Sequence, residues 1–198
     1  MIWAIVLAAG ESKRMGRPKQ LLPFGKQTII ENVVEQVTKS KVDNTLIVLG
    51  ANREKIAEKV ERFAAKRVYN PSFREGMLSS IQTGFAAVPE EARAVLIVLG
   101  DQPTVPMEVM DRIIDAYRES KKGIILPVFK NRRGHPILID AKYRSEVKTL
   151  DPEIGLKALV RSHAADIEEV NVTTPDILTD IDNPAEYRRE SKKAGFKE

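Results

Sequence analysis

The chain has 198 residues, 42% hydrophobic and 30% charged, with a net charge of +4 from 32 basic and 28 acidic side chains. This is the balance of a globular domain with a sizeable core. The basic excess is too small to mark a nucleic-acid binder, and no apolar run nears the roughly 20 residues of a membrane span. Cysteine is absent, which excludes disulfides, thiolate nucleophiles and cysteine-ligated zinc or iron–sulfur sites. No basic stretch followed by a long apolar core opens the chain, so the expectation is a cytoplasmic protein without a secretory leader.

Short apolar, β-branched runs at Ile2–Leu7, Thr45–Leu49, Ala94–Leu99 and Gly123–Val128 predict strands covered on both faces, since they lack clean polar alternation. Amphipathic segments lie between them: Thr28–Ser40, Arg53–Ala65, Leu78–Ala87 and Met107–Ser120. Thr28 with Glu31 has capping-box spacing, and Pro106 stands where a helix start tolerates a missing N–H. Past Lys130 the pattern predicts a strand at Pro136–Ile139, a short helix at Ile154–Ser162, a strand at Ile167–Val172 and a terminal helix at Glu186–Lys193. Strands alternating with helices imply one Rossmann-like three-layer α/β/α domain with a mostly parallel sheet. The domain is expected over residues 1–190. Residues 191–198, with Lys192, Lys193 and Lys197, are expected to be a frayed tail.

"LIVLG" occurs twice, at Leu46–Gly50 and Leu96–Gly100. The first copy continues into Ala51 and Asn52, the second into Asp101, Gln102 and Pro103. Open α/β sheets bind ligands outside the carboxyl ends of their strands. Identical strands with different continuations suggest that the strand is scaffold and the continuation carries chemistry.

The stretch "LAAGESKRMGRPK" between the first strand and the first helix is neither a Walker A loop nor a Gly-x-Gly-x-x-Gly fingerprint. It has the parts of a polyphosphate cradle. Gly10 lets the backbone turn and approach a ligand, and the small Ala8 and Ala9 leave room for a flat base. Loop N–H groups from Glu11 to Gly16 can form an anion nest, with Arg14 as a planar fork and Lys19 as a point charge. A solvated basic loop is the competing reading. Trp3 and the Phe residues read as core, without a stacking platform for RNA.

The residues "LAAGESKRMGRPKQLLPFG" resemble the N-terminal signature of the MobA-like nucleotidyltransferases. With Ala9 where the guanylyltransferase branch has Gly, the loop is closer to the molybdenum cofactor cytidylyltransferase branch. Four further segments are similar to family motifs in the same order: "NPSFREGMLSSIQTG" (70–84), "LGDQP" (99–103), "GHP" (134–136) and "DIDNPAEY" (180–187). The last departs from the family by Asn183 for Thr and by Ala185-Glu186 for Glu-Asp, positions that follow Asp182.

The resemblance implies the nucleotide-diphospho-sugar transferase type of fold and transfer of CMP from CTP to a molybdopterin-type phosphate acceptor, with pyrophosphate released. It implies Mg²⁺, with Mn²⁺ as a substitute. Such chemistry rests on positioning and charge rather than on a protein nucleophile. Lys19, Arg14 and Asp101 are then the catalytic candidates, with Lys19 nearest the α-phosphate. Leu7, Ala8, Ala9, Gly10, Ser12, Arg14, Lys19, Gly76 and Ser80 are the nucleotide-binding candidates. Asp101 and Asp182 are the metal candidates, joined by Asp180, which faces the same side in an extended segment. Gly134 and His135 would meet the acceptor. Each has a plainer reading: turn or cap for Asp101 and the "DID" acids, N-cap for Ser80, turn for Gly134, packing for His135. Arg74 is read as a solvated loop residue that could touch phosphate, and His163 as surface or packing.

Guanylyl transfer, a sugar-phosphate acceptor and a non-catalytic molybdenum cofactor carrier are the alternatives. A Rossmann oxidoreductase lacks its fingerprint here. The expected partners are the small-molecule acceptor and a molybdoenzyme receiving the product, with no nucleic acid and no membrane.

Overall fold

The computed structural model describes residues 1–196. The chain runs β1 (Ile2–Ala8), β2 (Pro23–Phe24), β3 (Gln27–Thr28), α1 (Ile29–Lys39), β4 (Asn44–Leu49), α2 (Arg53–Lys59), β5 (Lys66–Tyr69), α3 (Met77–Ala87) and β6 (Ala94–Leu99). It continues through α4 (Met107–Ser120), β7 (Ile124–Phe129), β8 (Arg132–Arg133), β9 (Ile137–Asp140), α5 (Arg144–Thr149), α6 (Leu156–Ser162), β10 (Ile167–Asn171) and α7 (Pro184–Lys193).

Side-chain alternation along the central strands builds two cores. Ala4 and Val6 of β1 join Ile47, Leu96 and Val98 under α1, α2 and α4. Trp3 and Ile5 join Leu46, Val48, Val95 and Ile97 on the other face, under α3, α5 and α6. The three-layer, mostly parallel architecture expected from the alternating pattern is therefore the one observed. The strand order is β10-β7-β9-β6-β1-β4-β5, with β8 on β7. β9 pairs antiparallel to both β6 and β7, whereas β1 pairs parallel to β4 on one side and β6 on the other. The connections reverse direction at β1, which opens a crevice at the carboxyl ends of β1, β4 and β6, where such sheets bind ligands.

The repeated "LIVLG" has a packing reason at that crevice. Gly50 and Gly100 end the two strands that flank β1. A Cβ on Gly50 would stand 2.6 Å from the Ala9 carbonyl oxygen, and one on Gly100 would stand 2.6 Å from that of Leu7. Only the absence of a side chain lets the first loop lie this close to both neighbours.

Several elements differ from the sequence-based expectation, among them the short strands β2, β3 and β8. The helix from Arg53 ends at Lys59 rather than Ala65, because Phe63 and Ala65 turn back to pack on the core below α1 and α2. β5 follows as an unanticipated strand. It is the sheet's edge and carries exposed Lys66 and Arg67, charges that hide an edge strand from apolar-run criteria and discourage edge-to-edge pairing. α5 was also unanticipated. Its Arg144 donates to the carbonyls of Phe85, Val88 and Pro89 at 2.6, 2.9 and 2.9 Å, satisfying groups left open at the end of α3. α7 ends at Lys193, as expected of the terminal helix, so the first residues of the segment expected as a tail are helical. Glu190 and Ser191 are buried, and the Phe196 ring stands edge-on to Phe24 with centroids 5.1 Å apart. Lys197 lies outside the described residues.

The capping box at α1 is formed as expected. Thr28 N donates to Glu31 Oε2 at 2.8 Å, and Glu31 N donates to Thr28 Oγ1 at 3.4 Å. Thr28→Ala is expected to lower the unfolding free energy by about 1 kcal/mol, with Thr28→Ser retaining most of it. Urea denaturation of the three proteins checks this, and equal midpoints would show that the cap is dispensable.

Candidate active site

Three distant segments meet at the crevice. The loop after β1 turns through Ser12, which adopts φ 57°, into a short 3₁₀ turn at Lys13–Met15. The Ser12 hydroxyl accepts from Lys19 N at 3.1 Å and donates to Gln20 Oε1 at 3.1 Å, folding the loop back on itself. Asp101 follows β6 after Gly100. Asp182 is brought in by the C-terminal segment, whose Ile181 and Tyr187 pack with Met15, Leu22, Phe24 and Ile29 in a small separate core. Ile181 N donates to Asp101 O at 3.1 Å, and the Tyr187 hydroxyl donates to Pro23 O at 2.6 Å.

The outcome is one cation shared by two acids. Lys19 Nζ lies 2.5 Å from Asp101 Oδ2 and 2.7 Å from Asp182 Oδ1, and Lys19 is only 9% exposed. Arg14 reaches the other Asp182 oxygen at 2.6 Å. Burial opposes charge on Lys19, yet the two carboxylates outweigh it and hold the ammonium above its ordinary value. Burial likewise works against Asp182, and Lys19 with Arg14 overcomes it, so that carboxyl titrates low. Asp101 is pushed upward by burial, against the pull of Lys19.

A divalent ion suits this donor set. Two hard carboxylate oxygens already converge on one positive charge, and an ion such as Mg²⁺ completes its shell with water and phosphate oxygens. Among the described residues no group of three or more acidic or His side chains is gathered for a metal. A metal at this point therefore needs ligands that a substrate brings.

Asp180 does not join this cluster. Its carboxylate accepts from Gln102 Nε2 at 2.8 Å while Ile181 is buried between the two acids. Extended spacing put Asp180 and Asp182 on one side, but Gln102 takes up the first and Lys19 the second. Nor does Asp182 cap α7. Asn183 does so, accepting from Ala185 N and Glu186 N, each at 3.0 Å, and Asp182 N in turn donates to Glu186 Oε2 at 2.8 Å.

A cavity of about 280 Å³ opens beside Lys19. Of the nucleotide-binding candidates, Leu7, Ala9, Gly10, Arg14, Lys19, Gly76 and Ser80 line it. Ala8 does not: strand alternation turns it into the core under α1. Ser12 does not either, its hydroxyl being spent on the loop. Gly76 stands at φ 105°, ψ −177°, backbone that favours glycine, and begins α3. Asn70 donates to Ser79 Oγ at 2.9 Å and to Ser80 Oγ at 3.0 Å, fixing both hydroxyls. Gly84 has a packing role instead, since a Cβ there would meet the Ile5 side chain at 2.7 Å.

Sequence reasoning missed Phe73, which lines the cavity together with Gln20, Met77 and Leu99. A Cβ at Gly50 would meet Phe73 Cβ at 2.7 Å, so the signal was the pairing of that glycine with the "NPSFREG" loop. Arg74 leans toward Glu11 at 3.4 Å and is exposed. Gly134 is a packing glycine, whose Cβ would overlap the Ile177 carbonyl. His135 lines a second, larger cavity, and burial lowers its basicity, with Asp180 opposing. His163 contacts Glu146 at 2.7 Å and packs on Tyr143, away from either cavity.

The MobA-like NTP transferase domain matches residues 4–167. The chain belongs to this family. It is 28% identical to nicotine blue oxidoreductase of Paenarthrobacter nicotinovorans, over 95% of each chain. It is 25% identical to molybdenum cofactor cytidylyltransferase of Escherichia coli strain K12, over 92% of each. The crystal structure of Rv0371c from Mycobacterium tuberculosis H37Rv superimposes with a TM-score of 0.87 at 27% identity, covering 96% of this chain and 97% of that one. A manganese complex of Rv0371c gives 0.81 at 26% identity, over 96% and 98%. The fold is of the nucleotide-diphospho-sugar transferase type. No helix among the described residues is long and apolar enough to cross a membrane.

Lys19→Met leaves Asp101 and Asp182 without their shared cation. The expected loss at pH 7 is about 2 to 3 kcal/mol, on the low side for a broken buried pair because both acids keep some contact with water. The sign with pH follows from the low Asp182 carboxyl. Its stabilisation is present above its ordinary 3.8 and is lost as pH falls through the lower folded value. In the variant Asp101 loses its cation and Asp182 keeps only Arg14, so both protonate at higher pH than in the parent and shed their penalty. The gap between the two proteins should therefore narrow as pH falls below 3.8, and urea titrations at pH 7 and about pH 3 check it. A gap that widens would contradict the ion pairing.

Proposed function

We propose that this chain is a Mg²⁺-dependent nucleotidyltransferase that moves CMP from CTP to a molybdopterin-type phosphate acceptor and releases pyrophosphate. The observation that carries the reading is the convergence of Asp101 and Asp182 on one cation beside the Arg14 loop, at the sheet's carboxyl edge. Family membership supports the transferase class, and the similarity to a molybdenum cofactor cytidylyltransferase supports the cytidyl and molybdopterin choices.

In the proposed step an acceptor phosphate oxygen forms a bond to the α-phosphorus of CTP. The bond from that phosphorus to the bridging oxygen breaks, and the electron pair leaves with pyrophosphate. The attacking phosphate is already ionised, so the protein supplies no nucleophile. Asp101 and Asp182 would hold Mg²⁺, or Mn²⁺ in its place, and the ion supplies positive charge to the phosphate oxygens when bound. Lys19 turns its ammonium from the acids to the α-phosphate, and Arg14 turns from Asp182 to the outer phosphates. Both are aimed where negative charge grows as pyrophosphate departs. Ala9, Gly10 and Gly76 leave space for the base and ribose, and Ser80 offers a fixed hydroxyl. Gly134 and His135 stand on the acceptor side. The product would pass to a molybdoenzyme, and the catalytic acids speak against a carrier that only holds the cofactor.

A matrix of the four nucleoside triphosphates against molybdopterin and sugar phosphates, followed by pyrophosphate release with Mg²⁺, tests the reading. CTP with molybdopterin is expected to dominate. Preference for GTP moves the reading to guanylyl transfer, and release with sugar phosphates moves it to that acceptor class. No release with any pair overturns transfer. A redox reading is carried by the similarity to nicotine blue oxidoreductase, and specific binding of NAD(P)H would favour it.

Because Lys19 stands between the acids, a metal and the ammonium compete until a triphosphate draws the ammonium away. Mn²⁺ binding, followed by electron paramagnetic resonance, should strengthen about tenfold or more when CTP is added. Equal Mn²⁺ affinity with and without CTP would contradict the exchange.

A further inference from the structure

A third cavity, of about 440 Å³, shares no lining residue with the nucleotide cavity or with the larger one beside His135. Arg17 and Gly25 come to it from the segment before α1, and Tyr187, Arg188 and Ser191 come from α7. Its volume is in the range of small-molecule sites.

Its lining is cationic without an answering charge. Arg17 and Arg188 are both exposed, and among the described residues no carboxylate lines the cavity with them. The neighbouring acids are engaged elsewhere. Glu186 accepts from Asp182 N at 2.8 Å, and Glu190 pairs with Arg189 at 2.7 Å and with Lys193 at 3.0 Å. Lys192 and Lys193, in the last turn of α7, offset the negative end of that helix.

Ser191 adds an independent sign. Its side chain is buried, at 5% exposure, and its hydroxyl has no hydrogen-bond partner among the described residues. A serine or threonine within a helix can satisfy itself on the carbonyl one turn earlier, as Thr83 does on Ser79 O at 2.8 Å. A buried hydroxyl without a partner calls for an explanation, and a ligand at the cavity that it lines supplies one.

Guanidinium groups are planar forks whose donors match the oxygens of a phosphate. Arg17 already leans on the Tyr187 ring, with Cζ 5.9 Å from its centre. We propose that this cavity is a second anion site, which takes the phosphate of a small organic phosphate between Arg17 and Arg188, with Ser191 as a further donor. The Tyr187 and Phe196 rings line the remaining space and meet the body of the ligand. The site does not depend on nucleotidyl transfer. Tyr187 also belongs to the small core that holds Ile181, so an occupant would tie the first loop to α7 beside the pairing of Lys19 with Asp182.

Phenyl phosphate is the probe, titrated into isotope-labelled protein without nucleotide or metal while backbone amide shifts are followed by NMR. Saturating shifts are expected at Gly25 and Ser191. Arg188→Gln, at an exposed position outside the proposed catalytic machinery, should weaken that binding about tenfold, the loss expected of a charge-assisted hydrogen bond. Gly10 reports the nucleotide cavity and should respond alike in both proteins. Shifts at Gly10 alone, or at none of the three, overturn the proposal and leave the transfer reading intact. Equal affinity at Gly25 and Ser191 in the parent and the variant overturns it as well. Saturation at Gly25 and Ser191 that Arg188→Gln weakens upholds it, whatever becomes of the transfer reading.

Discussion

A single buried ammonium group ties this protein together at its working end. Lys19 belongs to the first loop, Asp101 to the end of a central strand and Asp182 to the last segment before α7. Charge alone does not assemble them, since desolvating three ionised groups costs several kcal/mol each before any attraction is gained. The small apolar core of Met15, Leu22, Phe24, Ile29, Ile181 and Tyr187 supplies the difference. Each such side chain contributes roughly 1.5 to 3 kcal/mol when fully buried. It holds the last segment against the first loop whether or not the acids are paired. The carboxylates thus ride on a packed support, which keeps their spacing defined.

Much of the fold was legible because the central strands are buried on both faces. Residues 2–8, 44–49 and 94–99 must be apolar almost throughout, and a run of β-branched residues of that length has few other uses. β5 escaped because an edge strand is free to carry Lys66 and Arg67. α5 escaped because its worth lies in Arg144 reaching carbonyls more than fifty positions away, which no local pattern announces. At the site, residue chemistry in fixed order picked out Lys19, Asp101 and Asp182. Orientation was beyond it. Ala8 and Ala9 read alike as small residues, and only the strand's pleat decides that one faces the core and the other the cavity. Asp180 and Asp182 also read alike, until Gln102 claims one of them. Phe73 reaches the cavity only because Gly50, more than twenty residues earlier, leaves a gap.

The comparisons separate scaffold from chemistry. Two relatives of nearly equal similarity and coverage carry names from different reaction classes, one an oxidoreductase and one a cytidylyltransferase. The sheet order and the crevice at β1 are thus no guide to the reaction, which has to be argued from the side chains at the crevice. The same division holds within the molecule. The cavity beside β1, which holds Lys19 and its acids, is built at the ends of the strands and the start of α3, while the larger one also depends on α6 and the turn before it.

The clasp between the first loop and the last segment also sets an order of events during synthesis. Asp182 lies 163 positions after Lys19, and its supports Ile181 and Tyr187 emerge from the ribosome with it. A nascent chain can lay down β1, β4 and β6 and shape the first loop long before then. It has one acid and not two, and four of the six side chains of the small apolar core that fixes the loop. The pairing of both acids with Lys19 therefore arrives as a late, single step.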